Sequence, residues 1–102
     1  MSFDNTQGIT KITYESRVRC FCPMGDDWYS ADVKVEAKSL LRIPDYCDLD
    51  AFVRELDAQK LILEDVCAKV WQKVKDETEG VVSVSVHSSD AVHSPVTVYK
   101  AG

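Results

Sequence analysis

Cys22 is followed directly by Pro23, and five positions after the cysteine come Asp27 and then Trp28. A thiol held close to a carboxyl group is a nucleophile with a proton partner: the sulfur attacks and the acid manages the proton. The same residues also have a purely structural reading, because most cysteines of this kind are small buried hydrophobes. A free cysteine with a pKa of about 8.5 is mostly protonated at neutral pH, so the catalytic reading needs surroundings that activate Cys22. Trp28 either flanks a bound flat ring or covers the end of a hairpin.

The remaining reactive side chains carry weaker signals. Cys20 lies two residues from Cys22 and faces the same side of a regular strand; it is a second pocket thiol or, more simply, packing. Cys47 and Cys67 fall in helical sequence. These four cysteines form neither a Cys-x-x-Cys knuckle nor a disulfide framework. They are read as free thiols in a reducing, cytoplasmic compartment. His87 and His93 flank a Ser-rich loop with no third ligand at suitable spacing, so no metal site is expected. Phe52 and Trp71 sit on apolar stripes and read as core residues, not as a platform for stacking bases.

The elements that must position these groups are legible from periodicity. Residues 1–8 read as a flexible polar tail ending at Gly8, and residues 9–102 as a single domain. Ile12, Tyr14, Ser16, Val18 and Cys20 share one parity while Lys11, Glu15, Arg17 and Arg19 take the other, the signature of a half-buried strand. Pro23, Gly25, Asp26 and Asp27 break that strand. A second strand follows, with Ala31, Val33, Val35 and Ala37 on one face, so the two strands form an antiparallel hairpin. After Pro44 and Asp45 the period changes. Asp48 is the expected cap of a helix carrying Leu49, Phe52, Val53 and Leu56, and a longer helix carries Ile62, Leu63, Val66, Cys67, Val70, Trp71 and Val74. Gly80 closes it. Val82, Val84 and Val86 mark a third strand, and Val96 and Val98 a fourth.

Composition bounds what such a chain can be. The 102 residues suffice for one domain with a modest core. A net charge of −5 argues against a broad grip on nucleic-acid phosphates, although a small basic patch on an assembly, or brief contact with a nucleic acid, is compatible with it. No apolar run approaches the roughly 20 residues that span a bilayer, so no membrane partner is expected. Met1-Ser2-Phe3-Asp4-Asn5 does not read as a signal peptide.

The order strand, strand, helix, helix, strand, strand resembles the tunnelling fold. This α+β architecture has a β-β-α-α-β-β antiparallel sheet with two helices on one face and oligomerises into a barrel. The resemblance covers nearly all of the chain, from about Ile9 to Lys100. Asp45-Tyr46-Cys47-Asp48-Leu49 is similar to the stretch with which many members enter their first helix. Leu61-Ile62-Leu63-Glu64 is similar to the start of their second, where a glutamate anchors a purine-like or pterin ring. On that resemblance Glu64 is the substrate anchor, a role that suits a carboxylate accepting two parallel hydrogen bonds. Without it, Glu64 reads as a plain acid in the first turn of a helix.

Cys22-Pro23 with Asp27-Trp28 looks like the pair carried by the 7-cyano-7-deazaguanine nitrile reductases and the QueF-like, archaeosine-forming group, with a loop about two residues shorter. In that group the cysteine adds to the nitrile as a thioimide and the aspartate moves protons. The resemblance therefore implies Cys22 and Asp27 as catalytic residues, Glu64 and Trp28 as substrate-binding residues, and a purine-like or pterin small molecule, free or in tRNA, as partner. It also implies a homo-oligomer whose site lies between subunits, with the Cys22 loop near Glu64 of a neighbour. No cofactor is expected, NADPH entering only for a reductase. Glu36-Ala37-Lys38-Ser39 echoes the reductases' nicotinamide-linked stretch but lies too close to Cys22 and inside the second strand, so amidine formation fits better. Two departures stand out: Leu63 occupies the position before the glutamate where many relatives have histidine, and the pterin synthases' three-histidine zinc site is missing. The alternative is a non-catalytic or dihydroneopterin-aldolase-like tunnelling-fold protein; the aldolase version lacks its lysine near Val86-His87-Ser88-Ser89.

Overall fold

Strict alternation over two long runs produces the hairpin around which everything else is arranged. The computed structural model describes residues 2–91 and 93–102. Along the chain it contains β1 (Ser2–Asp4), β2 (Lys11–Cys22), β3 (Asp27–Lys38), β4 (Arg42–Pro44), α1 (Tyr46–Glu55), α2 (Leu63–Thr78), β5 (Val81–Ser88) and β6 (Val96–Ala101). Four strands form one antiparallel sheet in the order β2-β3-β5-β6. Both helices lie on one face of it, as the α+β reading expects.

Side-chain parity decides which face is covered. Val18 and Cys20 of β2, the odd positions Tyr29 to Ala37 of β3, and Val82, Val84 and Val86 of β5 are buried. They meet Leu49, Val53 and Leu56 of the first helical segment and Leu63, Val66, Cys67, Val70 and Val74 of α2 in one cluster. The opposite face carries Glu15, Arg17, Lys34 and Glu36. These charges belong in water and need no second layer. Trp71 is half-buried against the core; its Nε1–H donates to the Val82 carbonyl at 3.0 Å and Lys100 Nζ lies 4.5 Å from its ring centroid. Phe52 also packs on the core, with Lys73 Nζ 5.7 Å from its ring.

Three local features differ from the sequence reading. The polar tail over residues 1–8 contains a strand: β1 pairs antiparallel with β4, Phe3 opposite Ile43. Arg42 explains it, because its guanidinium donates from Nε to Ser2 Oγ at 2.6 Å and from an Nη to the Ser2 carbonyl at 2.9 Å. Asn5 adds an amide donor to the Ile9 and Leu40 carbonyls. Asp45, not Asp48, caps α1, its Oδ1 accepting from the backbone N–H of Cys47 at 2.9 Å and of Asp48 at 3.2 Å. Asp48 instead accepts from Lys73 Nζ at 2.9 Å and so ties α1 to α2. Finally, α2 is closed by Glu79, whose φ of 53° is left-handed. Gly80 serves another purpose, since a Cβ there would lie 2.4 Å from the Lys38 carbonyl oxygen.

Candidate active site

The register of β2 against β3 ends on Cys22 opposite Asp27. Directly opposed residues point to the same face, with Cβ atoms about 4.5–5.5 Å apart. The spacing of five therefore becomes a cross-strand thiol–carboxyl pair, aimed at the helix-covered face. The loop between them is tight: Asp26 has φ 53° and its N–H donates to the Cys22 carbonyl at 2.8 Å. The Gly25 N–H donates to Cys22 Sγ at 3.3 Å, which fixes the sulfur, and Asp27 Oδ1 accepts from the Trp28 N–H at 2.8 Å.

The segment that leads into α2 is fastened to the end of this hairpin. Arg19 N–H donates to Asp57 Oδ1 at 2.7 Å, and Ala58 N–H to the Arg19 carbonyl at 2.7 Å. Phe21 then exchanges hydrogen bonds with both sides of a parallel bridge, its N–H to Gln59 and its carbonyl from Leu61. Tyr29, buried in the core, donates its hydroxyl to the Leu61 carbonyl. Burial first, and then the neighbouring Cys20 and Cys22 thiols, push the Tyr29 phenol far up, so it stays a neutral donor. The consequence is that Leu63 and Glu64 open α2 beside Cys22.

A cavity of about 380 Å³ lies between these elements, lined by Cys22, Met24, Gly25, Asp27, Trp28, Tyr29, Ile62, Leu63, Glu64, Ala91, His93 and Val96. That is within the range of roughly 300–1,000 Å³ typical of ligand pockets, and it suits a small fused ring. All four residues singled out in the sequence, Cys22, Asp27, Trp28 and Glu64, border it. Cys22 and Glu64 of the same chain border this cavity.

Trp28 contributes differently from the others. Its parity turns it away from the core face, where it packs edge-on against Phe21 with ring centroids 5.5 Å apart and the Arg19 guanidinium 5.9 Å from its ring. It covers the hairpin end and borders the cavity at the same time. Leu63 is buried in the core, which accounts for an apolar residue immediately before Glu64. Cys20 is packing: it is fully buried, its Sγ donates to the Leu56 carbonyl at 3.3 Å, and burial pushes its thiol up. Burial does the same to Cys67.

Two residues of the cavity were not foreseen. Tyr29 shares the parity of Ala31 and Val33 in β3 and carries no further signal in the sequence, and His93 reads there only as a metal ligand without a third partner. Among the described residues no group of three His, Cys, Asp or Glu is arranged to hold a metal ion. The two histidines are in fact separated by the sheet: His87 lies on the bare face with Nδ1 2.7 Å from Thr97 Oγ1, whereas His93 borders the cavity. Also among the described residues, no helix is long and apolar enough to cross a membrane.

No family model matches the sequence, and no curated protein matches it. By structure the chain is similar to the crystal structure of the archaeosine synthase QueF-Like in the apo form, with a TM-score of 0.83 and 19% identity, over 93% of this chain and 95% of that one. A likeness at that identity speaks to architecture: the chain has the tunnelling fold of that archaeosine synthase.

Proposed function

We propose that the chain is a QueF-like enzyme acting on the nitrile of 7-cyano-7-deazaguanine, free or within tRNA, through a thioimide on Cys22. The observation that carries this reading is that Cys22, Asp27 and Glu64 share one cavity of ring-sized volume. The fold shared with an archaeosine synthase supports it. Glu64 accepts hydrogen bonds from the amino-pyrimidinone edge, an interaction of carboxylate strength. With the ring held, the nitrile carbon comes to Cys22. The sulfur's electron pair forms the C–S bond, one C–N π pair moves to nitrogen, and Asp27 supplies the proton that nitrogen takes up. An amine then adds to the imide carbon, the C–S bond breaks, and an amidine leaves with no net oxidation or reduction. Amidine formation therefore needs no cofactor, while reduction would require NADPH. Tyr29 holds the floor of the site through Leu61, and Trp28 shields its edge.

A closed homo-oligomer belongs to the same proposal, with the cavity bordering a subunit boundary. Its support is the outer edge of β6 and that of β2 up to Val18, which have no strand partner among the described residues. Such edges pair readily with another chain.

The test is the intact mass of the protein after incubation with 7-cyano-7-deazaguanine. A gain equal to the mass of the nitrile, lost in a folded Cys22→Ala variant, is the expected result. An unmodified wild type, or an adduct that survives Cys22→Ala, overturns the proposal. Leu63 in place of histidine favours a second reading, a non-catalytic tunnelling-fold protein that binds a pterin or purine. Equal ligand binding by wild type and Cys22→Ala without any adduct would establish it.

A further inference from the structure

We infer that Tyr29 is a positioning residue: by tethering the entry of α2 to the hairpin, it sets where Glu64 stands relative to Cys22. Its consequence for the reaction rests on the nitrile-capture reading above. The two groups belong to separate pieces of the chain. Cys22 is fixed within the hairpin, by the Gly25 N–H and by its register against Asp27. Glu64 is the second residue of α2, and that helix begins without a cap of its own. Its N-cap residue is Ile62, which makes no side-chain hydrogen bond to the first turn. An uncapped start frays, so whatever holds the chain just before it decides where the first turn points.

Leu61 is what holds it, bonded on both sides to the hairpin. Its N–H donates to the Phe21 carbonyl of β2 at 3.1 Å, and its carbonyl accepts from the Tyr29 hydroxyl of β3. The second bond fixes the peptide plane that joins Leu61 to Ile62, the last one before α2. Tyr29 is 3% exposed and borders the cavity, so losing its hydroxyl leaves a buried carbonyl without that donor. Burial above all, then Cys20, Cys22 and Glu64, keep the phenol protonated, and the tether holds across the neutral range. Anchor and tether act on different steps. Glu64 moves with its helix and binds the ring wherever α2 points. Attack by Cys22 needs the nitrile carbon about 3–3.5 Å from sulfur, and a misplacement of about 1 Å costs on the order of a hundredfold in rate. A loosened tether therefore slows adduct formation and leaves ring affinity alone.

The test is Tyr29→Phe, which removes the hydroxyl and keeps the ring that packs in the core. Affinity is measured with 7-deazaguanine, which has the amino-pyrimidinone edge and no nitrile. The rate of adduct formation with 7-cyano-7-deazaguanine is followed by intact mass. Amide hydrogen exchange is read at Asp65 and Val66, whose N–H groups close the first turn of α2 on the Ile62 carbonyl. The expected result is an unchanged affinity, a rate lower by roughly ten- to a hundredfold, and faster exchange at Asp65 and Val66 but not at Val70 or Val74. Ile12→Val, at the far end of the same hairpin, controls for a general loss of stability: it is expected to lower the melting temperature and to move neither the rate nor the first-turn exchange. An adduct rate equal to that of wild type overturns the inference. So do a rate and an affinity that fall together, which would mark Tyr29 as structural only. A wild type that binds 7-deazaguanine but forms no adduct overturns the nitrile-capture reading instead. Exchange at Asp65 and Val66 then still decides the tether, and unchanged exchange in Tyr29→Phe overturns it.

Discussion

At the scale of single residues the chain sorts its four thiols by position in the fold. Cys20 and Cys67 are buried and pushed toward the protonated form by that burial, Cys47 is exposed, and Cys22 is half-buried on the cavity. Native-state alkylation followed by peptide mass mapping is therefore expected to label Cys22 and Cys47 and to spare Cys20 and Cys67 until the protein unfolds. Glu64 carries a second prediction. Glu64→Gln removes the charge and turns one acceptor into a donor facing a donor edge. Loss of a hydrogen bond to a charged group costs about 1.5–3 kcal/mol, so affinity for the deazaguanine ring should fall by roughly ten- to a hundredfold, as read by calorimetry. Glu64 lies at the surface, so the melting temperature should stay nearly constant.

At the scale of elements, caps and close approaches decide where helices stop and strands begin. Asp45 satisfies two backbone donors at the start of α1. Asp45→Ala should cost about 1 kcal/mol, read as a lower urea midpoint with an unchanged slope. Gly80 admits the Lys38 carbonyl where a Cβ would lie 2.4 Å away. Gly80→Ala must shift backbone on one side, and a penalty of roughly 1–3 kcal/mol is expected from the same measurement. Alternation made β2 and the body of β3 readable, since each has a bare polar face and a covered apolar one, but β3 already begins at Asp27, within the stretch whose turn residues read as a break. The cap of α1 was not readable, because Asp45 and Asp48 can both cap a helix and only the position of Lys73 assigns Asp48 elsewhere. The β1–β4 ribbon was invisible for a related reason: strands of three residues have no period, and their pairing depends on Arg42 reaching back to Ser2.

At the scale of the whole molecule, the extents of 46 × 21 × 16 Å are those of one sheet with a single helical layer. Its surface acids link stability to pH. Asp48 is held below the usual carboxylate range by its hydrogen bond to Lys73, Asp50 by Tyr14 and then Arg54, and Asp90 by the Ser30 backbone N–H. A depressed folded-state pKa stabilises above the unfolded value, about 3.9 for aspartate, and that contribution disappears as pH falls through the folded value. Stability should thus fall as the pH drops below about 4. The loss should weaken in high salt, because these carboxylates are exposed. Urea midpoints measured from neutral to acid pH check both statements. The proposed assembly is tested by light scattering, where a monodisperse monomer would overturn it.

By itself the sequence determined the architecture and named the side chains with chemistry. Apolar period reports which face of each element must leave water, and residue type reports what a group can do once it is placed. Tertiary structure alone decided the company those groups keep. Glu64 lies 42 positions from Cys22 in the chain and reaches its cavity because residues 57–61 are bonded to the end of β2. His93 reaches the same cavity from a loop, and Trp28 packs on the other face of its own strand. No local pattern encodes these placements. They follow from backbone hydrogen bonds between segments that become neighbours only after the sheet has formed.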